Sequence, residues 1–267
     1  MVSIRELSNM QNRWALITGA TGSIGRVISE TLAELGANLV LVDKPGSDFV
    51  TLVSKIQNTH KVEISTYLCD LESQDSRTQL IHFVNDLPNG LDVLINNAAF
   101  AGTENLEGWN SIFEEQSVAT WRRAIEVNLT AVFDLCQGLL PKLRLSDSPS
   151  IVNIASIYGI QGPDWRIYED QNMANPAAYS VSKGGLIQLT RWLATTIAPE
   201  IRVNAIAPGG LKRSQPEEFI KRYSAKTPLG RMGTEDDLKG AIAYLSSDLS
   251  NYVTGQVLTV DGGWGVW

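Results

Sequence analysis

The sequence predicts an α/β domain built on parallel strands, and three observations carry that expectation. An apolar run, Trp14-Ala-Leu-Ile-Thr18, leads straight into a glycine-rich turn, Gly19-Ala-Thr-Gly22-Ser-Ile-Gly25, and then into a helical pattern in Val27, Ile28, Leu32 and Leu35. A second apolar run, Asn38 to Val42, closes on Asp43, about twenty residues beyond the turn. Short apolar runs then alternate with helical periodicity to the end of the chain, the pattern of βαβ units rather than of hairpins.

Taken in order, the strand at 14–18 feeds a turn whose backbone N–H groups can approach a pyrophosphate, while the helix behind it offers partial positive charge at its N-terminus. Gly19, Thr21, Gly22, Ser23, Ile24 and Gly25 are therefore expected at a dinucleotide. Asp43 stands where a carboxylate accepts hydrogen bonds from both adenine-ribose hydroxyls. A 2′-phosphate would meet that carboxylate with repulsion, and the turn carries no basic residue to offset it. NAD is expected over NADP, with Lys44 the neighbouring cation that argues the other way. The third unit pairs a strand at 63–68 with a helix at 73–87. Asp70 and Leu71 lie between them at the strand's C-terminal end, where open parallel sheets bind ligands. Asp70 either meets the adenine edge or caps the following helix, and the residues leave both open.

The fourth strand, 91–95, ends in Asn96-Asn97-Ala98-Ala99, small residues that let a cofactor lie close above the strand tip. From Ser117 to Leu140 the pattern is helical, with Asn128 set inside it; a buried asparagine there must find partners, structural ones or a water. The fifth strand, 149–156, delivers Ser156 to the same sheet edge. Residues 159–175 show neither period and are expected to form a loop over the site. A sixth strand, 201–207, ends at Pro208-Gly209, a mobile segment is expected over 210–228 with a short helix at 215–223, and a helix capped by Thr234 precedes the last strand at 256–260. No linker or repeat interrupts residues 1–267, so one domain is expected, with a polar extension at 1–12.

Asn175-Pro-Ala-Ala-Tyr179-Ser-Val-Ser-Lys183 carries the chemistry. Asn175 can cap a helix and Pro176 can occupy its first turn. Tyr179 and Lys183, four residues apart, then share a face. A tyrosine with a pKa near ~10 is a poor base at neutral pH, but a fixed ammonium favours the phenolate, which suits the pair to moving a proton on and off an alcohol. Arg166, Tyr168 and Glu169, in the loop before it, suggest a polar polyol, a sugar or a sugar acid, the acid because a guanidinium pairs well with carboxylate or phosphate. A guanidinium turned to solvent or bridging to Glu169 is the plainer alternative.

Composition narrows the field. The formal charge is −7 over 267 residues, with no basic block, which argues against nucleic acid. No run approaches a membrane span of ~18 apolar residues and the N-terminus lacks an apolar segment, so a cytoplasmic protein without membrane contact is expected. Cys69 and Cys136 are isolated, and His60 and His82 lie far from ligand spacing, so neither a disulfide framework nor a metal site is expected.

With the glycine turn, Asp43, Asn96-Asn-Ala, Asn128, Ser156, Tyr179-x-x-x-Lys183, Pro208-Gly209 and Thr254-Gly-Gln-Val-Leu-Thr-Val-Asp-Gly-Gly263 in that order, the chain resembles the short-chain dehydrogenase/reductase family over residues 12–267. The resemblance implies a doubly wound, Rossmann-type sheet of seven parallel strands with helices on both faces, NAD(P) across its C-terminal edge, a small-molecule substrate and a homotetramer or homodimer. It implies Tyr179 as acid/base and Lys183 as the group that lowers its pKa and holds the nicotinamide ribose. It further implies Ser156 on the substrate oxygen, Asn128 on a water, and Pro208 and Gly209 beside the cofactor. Tyr158 and Tyr168 are not rivals, because neither has a lysine four residues on. Three departures stand out: Ser23 where the single-domain branch has its middle glycine, Arg213 where a threonine follows Pro208-Gly209, and a segment before Tyr179 longer by about ten residues than is usual in the family. The Asp-x-Arg-Ile-Tyr-Glu insertion is similar to that of dehydrogenases of bacterial surface-sugar or flagellin-glycan pathways. Two other functions remain in view, an epimerase or dehydratase using bound NAD transiently, suggested by the glycine-turn variant, and a non-catalytic NAD(H)-sensing protein on the same scaffold.

Overall fold

The strands are β1 (Trp14–Thr18), β2 (Asn38–Asp43), β3 (Ile64–Leu68), β4 (Val93–Asn96), β5 (Ser150–Ile154), β6 (Arg202–Pro208) and β7 (Val257–Val260). In a computed structural model that describes residues 1–88, 90–100, 106–171 and 173–267, they form one parallel sheet in the order β3-β2-β1-β4-β5-β6-β7. The chain walks outward from β1 to β3, then crosses to β4 on the other side of β1. That reversal opens a crevice at the C-terminal ends of β1 and β4, the place where such sheets bind ligands.

Side chains alternate along each strand and both faces are buried. Ala15, Ile17, Leu39, Leu41, Val93, Ile95, Val152 and Ile154 share one cluster; Leu16, Val40, Val42, Leu94, Ile151 and Val203 share the other. Besides two short helical turns at Ile4–Leu7 and Leu140–Leu143, the helices are α1 (Ser23–Glu34), α2 (Val50–Thr59), α3 (Gln74–Asp86), α4 (Val118–Ile125), α5 (Ala131–Gly138), α6 (Ala177–Thr196), α7 (Glu217–Lys226) and α8 (Lys239–Ser246). Helices α1, α2 and α8 cover the first cluster through Ile28, Leu32, Leu52, Ile56, Ile242 and Leu245. Helices α3, α5 and α6 cover the second through Leu80, Val84, Val132, Leu135, Leu186 and Leu193. No helix among the described residues is long and apolar enough to cross a membrane.

Four features differ from the sequence expectations. Helix α2 was not anticipated: Leu52 and Ile56 are its only fully buried residues, and Val50 is left exposed. The single helix expected over 117–140 is interrupted by a π-helical turn at Glu126–Thr130, centred on Asn128. Thr234 does cap, in a reciprocal box with Asp237, but it opens a 3₁₀ turn, Glu235–Leu238, that then runs into α8. The polar extension is partly docked: Met10 is fully buried and its N–H donates to the Leu35 carbonyl at 2.9 Å.

The segment expected to be mobile packs on the rest of the domain through α7. Phe219 and Tyr223 of α7 are buried in a satellite cluster with Ile157, Ile167, Met232 and Trp264, and Tyr223 stacks on Trp264 with ring centroids 4.0 Å apart. Asp164, from the 159–175 stretch, accepts from both Arg166 and Lys226 at 2.7 Å. Within that stretch Asn172 lies outside the described residues, as do 101–105 after β4.

Candidate active site

The glycine turn shows what the first strand is for. Gly19 takes a left-handed φ of +65°, and a Cβ on Gly25 would sit 2.0 Å from the Gly19 carbonyl oxygen, so the turn closes only with these two glycines. Asn97 locks it to β4, its Nδ2 donating to the Thr18 and Gly19 carbonyls at 2.9 and 3.0 Å. Helix α1 then starts at Gly22 with no side-chain cap and no acidic residue in its first turn. Helices α3 and α4, by contrast, are capped by the Ser73 and Ser117 hydroxyls. The unpaired N–H groups of α1 face a cleft of about 790 Å³, so the turn fits a pyrophosphate on the geometry of its own donors.

That cleft is walled by Gly19, Thr21 to Gly25, Asp43, Asp70, Leu71, and Asn97 to Ala99, which are the cofactor residues expected from sequence at its adenine and phosphate end. Four donors orient Asp43. The Thr21 N–H and hydroxyl reach Oδ2 at 2.8 and 2.7 Å; the Lys44 N–H and Ser47 hydroxyl reach Oδ1 at 2.8 and 3.0 Å. Ser73 caps α3, so Asp70 does not, and its Oδ1 instead accepts from the Glu72 N–H at 3.0 Å at the exposed rim of the cleft.

Ser156, Tyr179 and Lys183 converge just beyond this wall. Ser156 follows β5 and is buried, with its Oγ accepting from the Tyr158 N–H at 3.2 Å. Helix α6 presents Tyr179 beside Phe100 and Trp109, and Lys183 one turn on. Lys183 is 2 % exposed and its Nζ donates to the Ile154 carbonyl at 2.7 Å. Burial pushes its pKa down to about 8. Burial pushes the Tyr179 phenol up, against smaller downward pulls from the Ser156 hydroxyl and the Arg213 guanidinium. In the free chain burial outweighs these two pulls, and the Lys183 ammonium sits 5.8 Å from the Tyr179 ring centroid, anchored on backbone. Pro208 and Gly209 end β6, next to β5, and the Gly209 N–H is fixed on the Val260 carbonyl at 2.9 Å.

Asn128 is fully engaged by protein. Its Oδ1 accepts from the Phe100 N–H at 2.6 Å and its Nδ2 donates to the Ser182 hydroxyl at 3.0 Å, tying the strand-end loop to α6 between Tyr179 and Lys183. Asn175 is not the cap of α6: that place falls to Pro176, and Gln116 reaches across to accept from the Ala177 N–H at 3.0 Å.

Of the three loop residues expected to meet substrate, only Tyr168 turns inward, its hydroxyl 2.6 Å from that of Tyr158. Arg166 is corrected. Its side chain is 80 % exposed and its guanidinium is paired with Asp164, two residues away, rather than with Glu169. Glu169 is exposed as well, and only its backbone carbonyl is used, by Arg222 at 2.6 Å. Two residues were not assigned from sequence. Arg213 lines the cleft and pairs with Glu235 at 3.0 Å; its position after Pro208-Gly209 was the one signal. Arg26 donates to the Thr21 carbonyl at 2.7 Å and so braces the turn.

A dinucleotide cradle on a doubly wound sheet, with a tyrosine, a lysine and a serine gathered at the adjoining strand end, defines a nicotinamide-dependent oxidoreductase. The chain belongs to the short-chain dehydrogenase/reductase family: residues 19–265 match the family model described as enoyl-(acyl carrier protein) reductase. It is 31% identical over 259 residues to the 3-oxoacyl-(acyl-carrier-protein) reductase FabG of Aquifex aeolicus, covering 95% of this chain and 98% of that one. Among solved structures, the NADPH-dependent 3-quinuclidinone reductase of Rhodotorula rubra superposes with a TM-score of 0.86 at 26% identity, covering 100% of this chain and 96% of that one. A short-chain dehydrogenase of Leptospira borgpetersenii with bound NAD+ gives 0.83 at 32% identity, covering 99% and 97%. The protein is thus an NAD(P)-dependent enzyme that transfers hydride between nicotinamide and an alcohol or ketone.

Proposed function

We propose that the enzyme interconverts a secondary alcohol and a ketone with NAD as its preferred cofactor, and that Tyr179 exchanges the proton. The observation that carries this reading is the convergence of Ser156, Tyr179 and Lys183 beside a cleft floored by an uncapped helix N-terminus. NAD supplies the acceptor for the hydride, and the chain supplies the rest. The Ser156 hydroxyl holds the substrate oxygen, and Tyr179 takes its proton as the C–O bond becomes a carbonyl and returns it in reduction. The Lys183 ammonium is fixed by the Ile154 carbonyl one turn from Tyr179, and its role in this reading is to favour the phenolate that burial opposes. Asn128 acts as a positioning residue through Phe100 and Ser182. Pro208 and Gly209, at the end of β6, are assigned in this reading to the nicotinamide side, beyond the residues that line the cleft.

Preference for NAD rests on Asp43. The two hydroxyl donors it engages, from Thr21 and Ser47, are of the kind a ribose diol offers, whereas a phosphate there would place like charges together. Assembly as a homotetramer or homodimer is supported by exposed apolar residues on α4, α5 and α6, among them Val118, Phe133, Val181 and Trp192. Replacement of Tyr179 by Phe is the test. It should lower kcat/KM by about 10³-fold or more, with NADH still bound as judged by its fluorescence. Turnover at the wild-type rate would show that the proton moves through some other group.

A further inference from the structure

Next to Ser156 and Tyr179 lies a group of uncharged side chains that the hydride-transfer reading does not use. Tyr158 follows Ser156 by two residues, on a 3₁₀ turn pressed against α6: a Cβ on Gly159 would sit 2.6 Å from the Lys183 carbonyl carbon. Its hydroxyl meets that of Tyr168 at 2.6 Å, and its own N–H donates to the Ser156 hydroxyl at 3.2 Å, which sets the pair beside the site. Asn175, four residues before Tyr179, completes the group. It is only 6 % exposed, its Oδ1 accepts from the Ser180 hydroxyl at 3.1 Å, and its Nδ2 donates to no acceptor among the described residues, although it lies near enough to the Tyr158 phenol to act on it.

A count of protons shows what the group lacks. Only one of two phenols can donate in the bond they share, so one O–H is left over, together with the protons of the Asn175 amide. Burial pushes both phenols up, so they stay protonated donors. A buried amide donor left without an acceptor costs free energy, and on α6 Asn175 uses only its Oδ1, on the Ser180 hydroxyl. The missing partner is an oxygen. It is assigned as a neutral one, because the two arginines that could meet a carboxylate, Arg166 and Arg213, are already paired with Asp164 and Glu235.

We infer that Tyr158, Tyr168 and Asn175 form a second oxygen-binding subsite, which selects substrates carrying a hydroxyl on the carbon next to the reacting one: vicinal diols and α-hydroxyketones, as in neutral cyclic polyols. The inference rests on the alcohol dehydrogenase reading above and specifies its substrate class. A site built to hydrogen-bond a hydroxyl discriminates strongly against the analogue that lacks it.

The test compares cyclohexanol with cis- and trans-1,2-cyclohexanediol, with NAD, in the wild type and in Tyr168→Phe and Asn175→Leu. At least one diol should exceed cyclohexanol in kcat/KM by roughly 100-fold in the wild type, and each variant should cut that ratio at least about tenfold, mainly through KM. Tyr168→Phe keeps the ring and guards against loss of packing, and circular dichroism checks that both variants are folded. Turnover of cyclohexanol with no diol preference, or a preference that both folded variants keep, overturns the subsite and leaves the dehydrogenase reading standing. A wild type that turns over neither diol also overturns it, while the Tyr179→Phe comparison on a wider alcohol panel judges the dehydrogenase reading separately. A preference for 2-hydroxycyclohexanecarboxylate over the diols would mean the subsite takes a carboxylate and overturns the neutral assignment.

Discussion

At the scale of the residue, the site works against stability. Lys183 carries a charge in a place that is 2 % exposed, with one carbonyl as its partner, and its pKa falls to about 8. A cation whose folded pKa lies below its unfolded value of ~10.4 destabilises the fold most at low pH, and the penalty fades as pH rises between the two values. Lys183→Met should therefore lose activity yet gain about 1 to 2 kcal/mol of stability at pH 7, allowing for the orphaned Ile154 carbonyl. The gain over wild type should shrink as pH rises from 8 toward 10. Urea unfolding at three pH values checks both; a variant less stable than wild type at pH 7 would contradict the buried-charge account. Arg213 acts in the opposite sense on Tyr179. A guanidinium nearby favours the phenolate, so Arg213→Ala should move the alkaline rise of alcohol oxidation to higher pH, read from the kcat/KM profile with NAD. An unmoved profile would show that Arg213 does not reach the phenol in the working enzyme. The sequence made the Tyr179 and Lys183 pair visible through its spacing. It could not show that Arg166 would be taken by Asp164, since charge along a loop says nothing about which way each side chain turns.

At the scale of the element, α7 and the 159–175 stretch are held together by Asp164. Arg166 first, and then Lys226, hold its carboxyl well below the usual carboxylate range. A depressed carboxylate contributes stability that is present above its unfolded pKa of ~3.9 and is lost as pH falls through the lower folded value. Asp164→Asn should thus open the clasp at neutral pH. Cleavage by trypsin at Arg166, Arg222 and Lys226 should quicken, and KM for the alcohol should rise more than the dissociation constant for NADH. Equal protection in variant and wild type would place the hold elsewhere, in the stacking of Tyr223 on Trp264. None of this was legible in the sequence, because Lys226 and Asp164 are 62 positions apart and no local period links them. The central strands β1, β4 and β5 were legible because they are buried on both faces and read as largely apolar runs. The π turn at Asn128 was not, since one added residue inside a helix leaves the apolar period nearly intact.

At the scale of the molecule, the order of motifs along the chain identified the sheet and the crevice, because a parallel sheet forces every strand's C-terminal end to one edge and brings distant residues together there. The surface that remains apolar once the core is filled is a second consequence of the same topology. Helix α4 packs on α6, and the side of this pair away from the sheet keeps Trp121, Val181 and Trp192 exposed. Val181 and Trp192 are eleven residues apart, close to three full turns, so they lie on one stripe of α6. A stripe of that kind in water favours association with a matching surface, and a two-fold axis lets the same stripe serve both partners. Light scattering of the wild type should therefore give a mass two or four times the 29.2 kDa of the chain. Trp192→Glu would place a carboxylate on each side of such an axis, and it should shift the mass toward the single chain, more so at low salt where the repulsion is least screened. A wild type that runs at the mass of one chain would remove the interface, and a variant that keeps the larger mass would move it off α6.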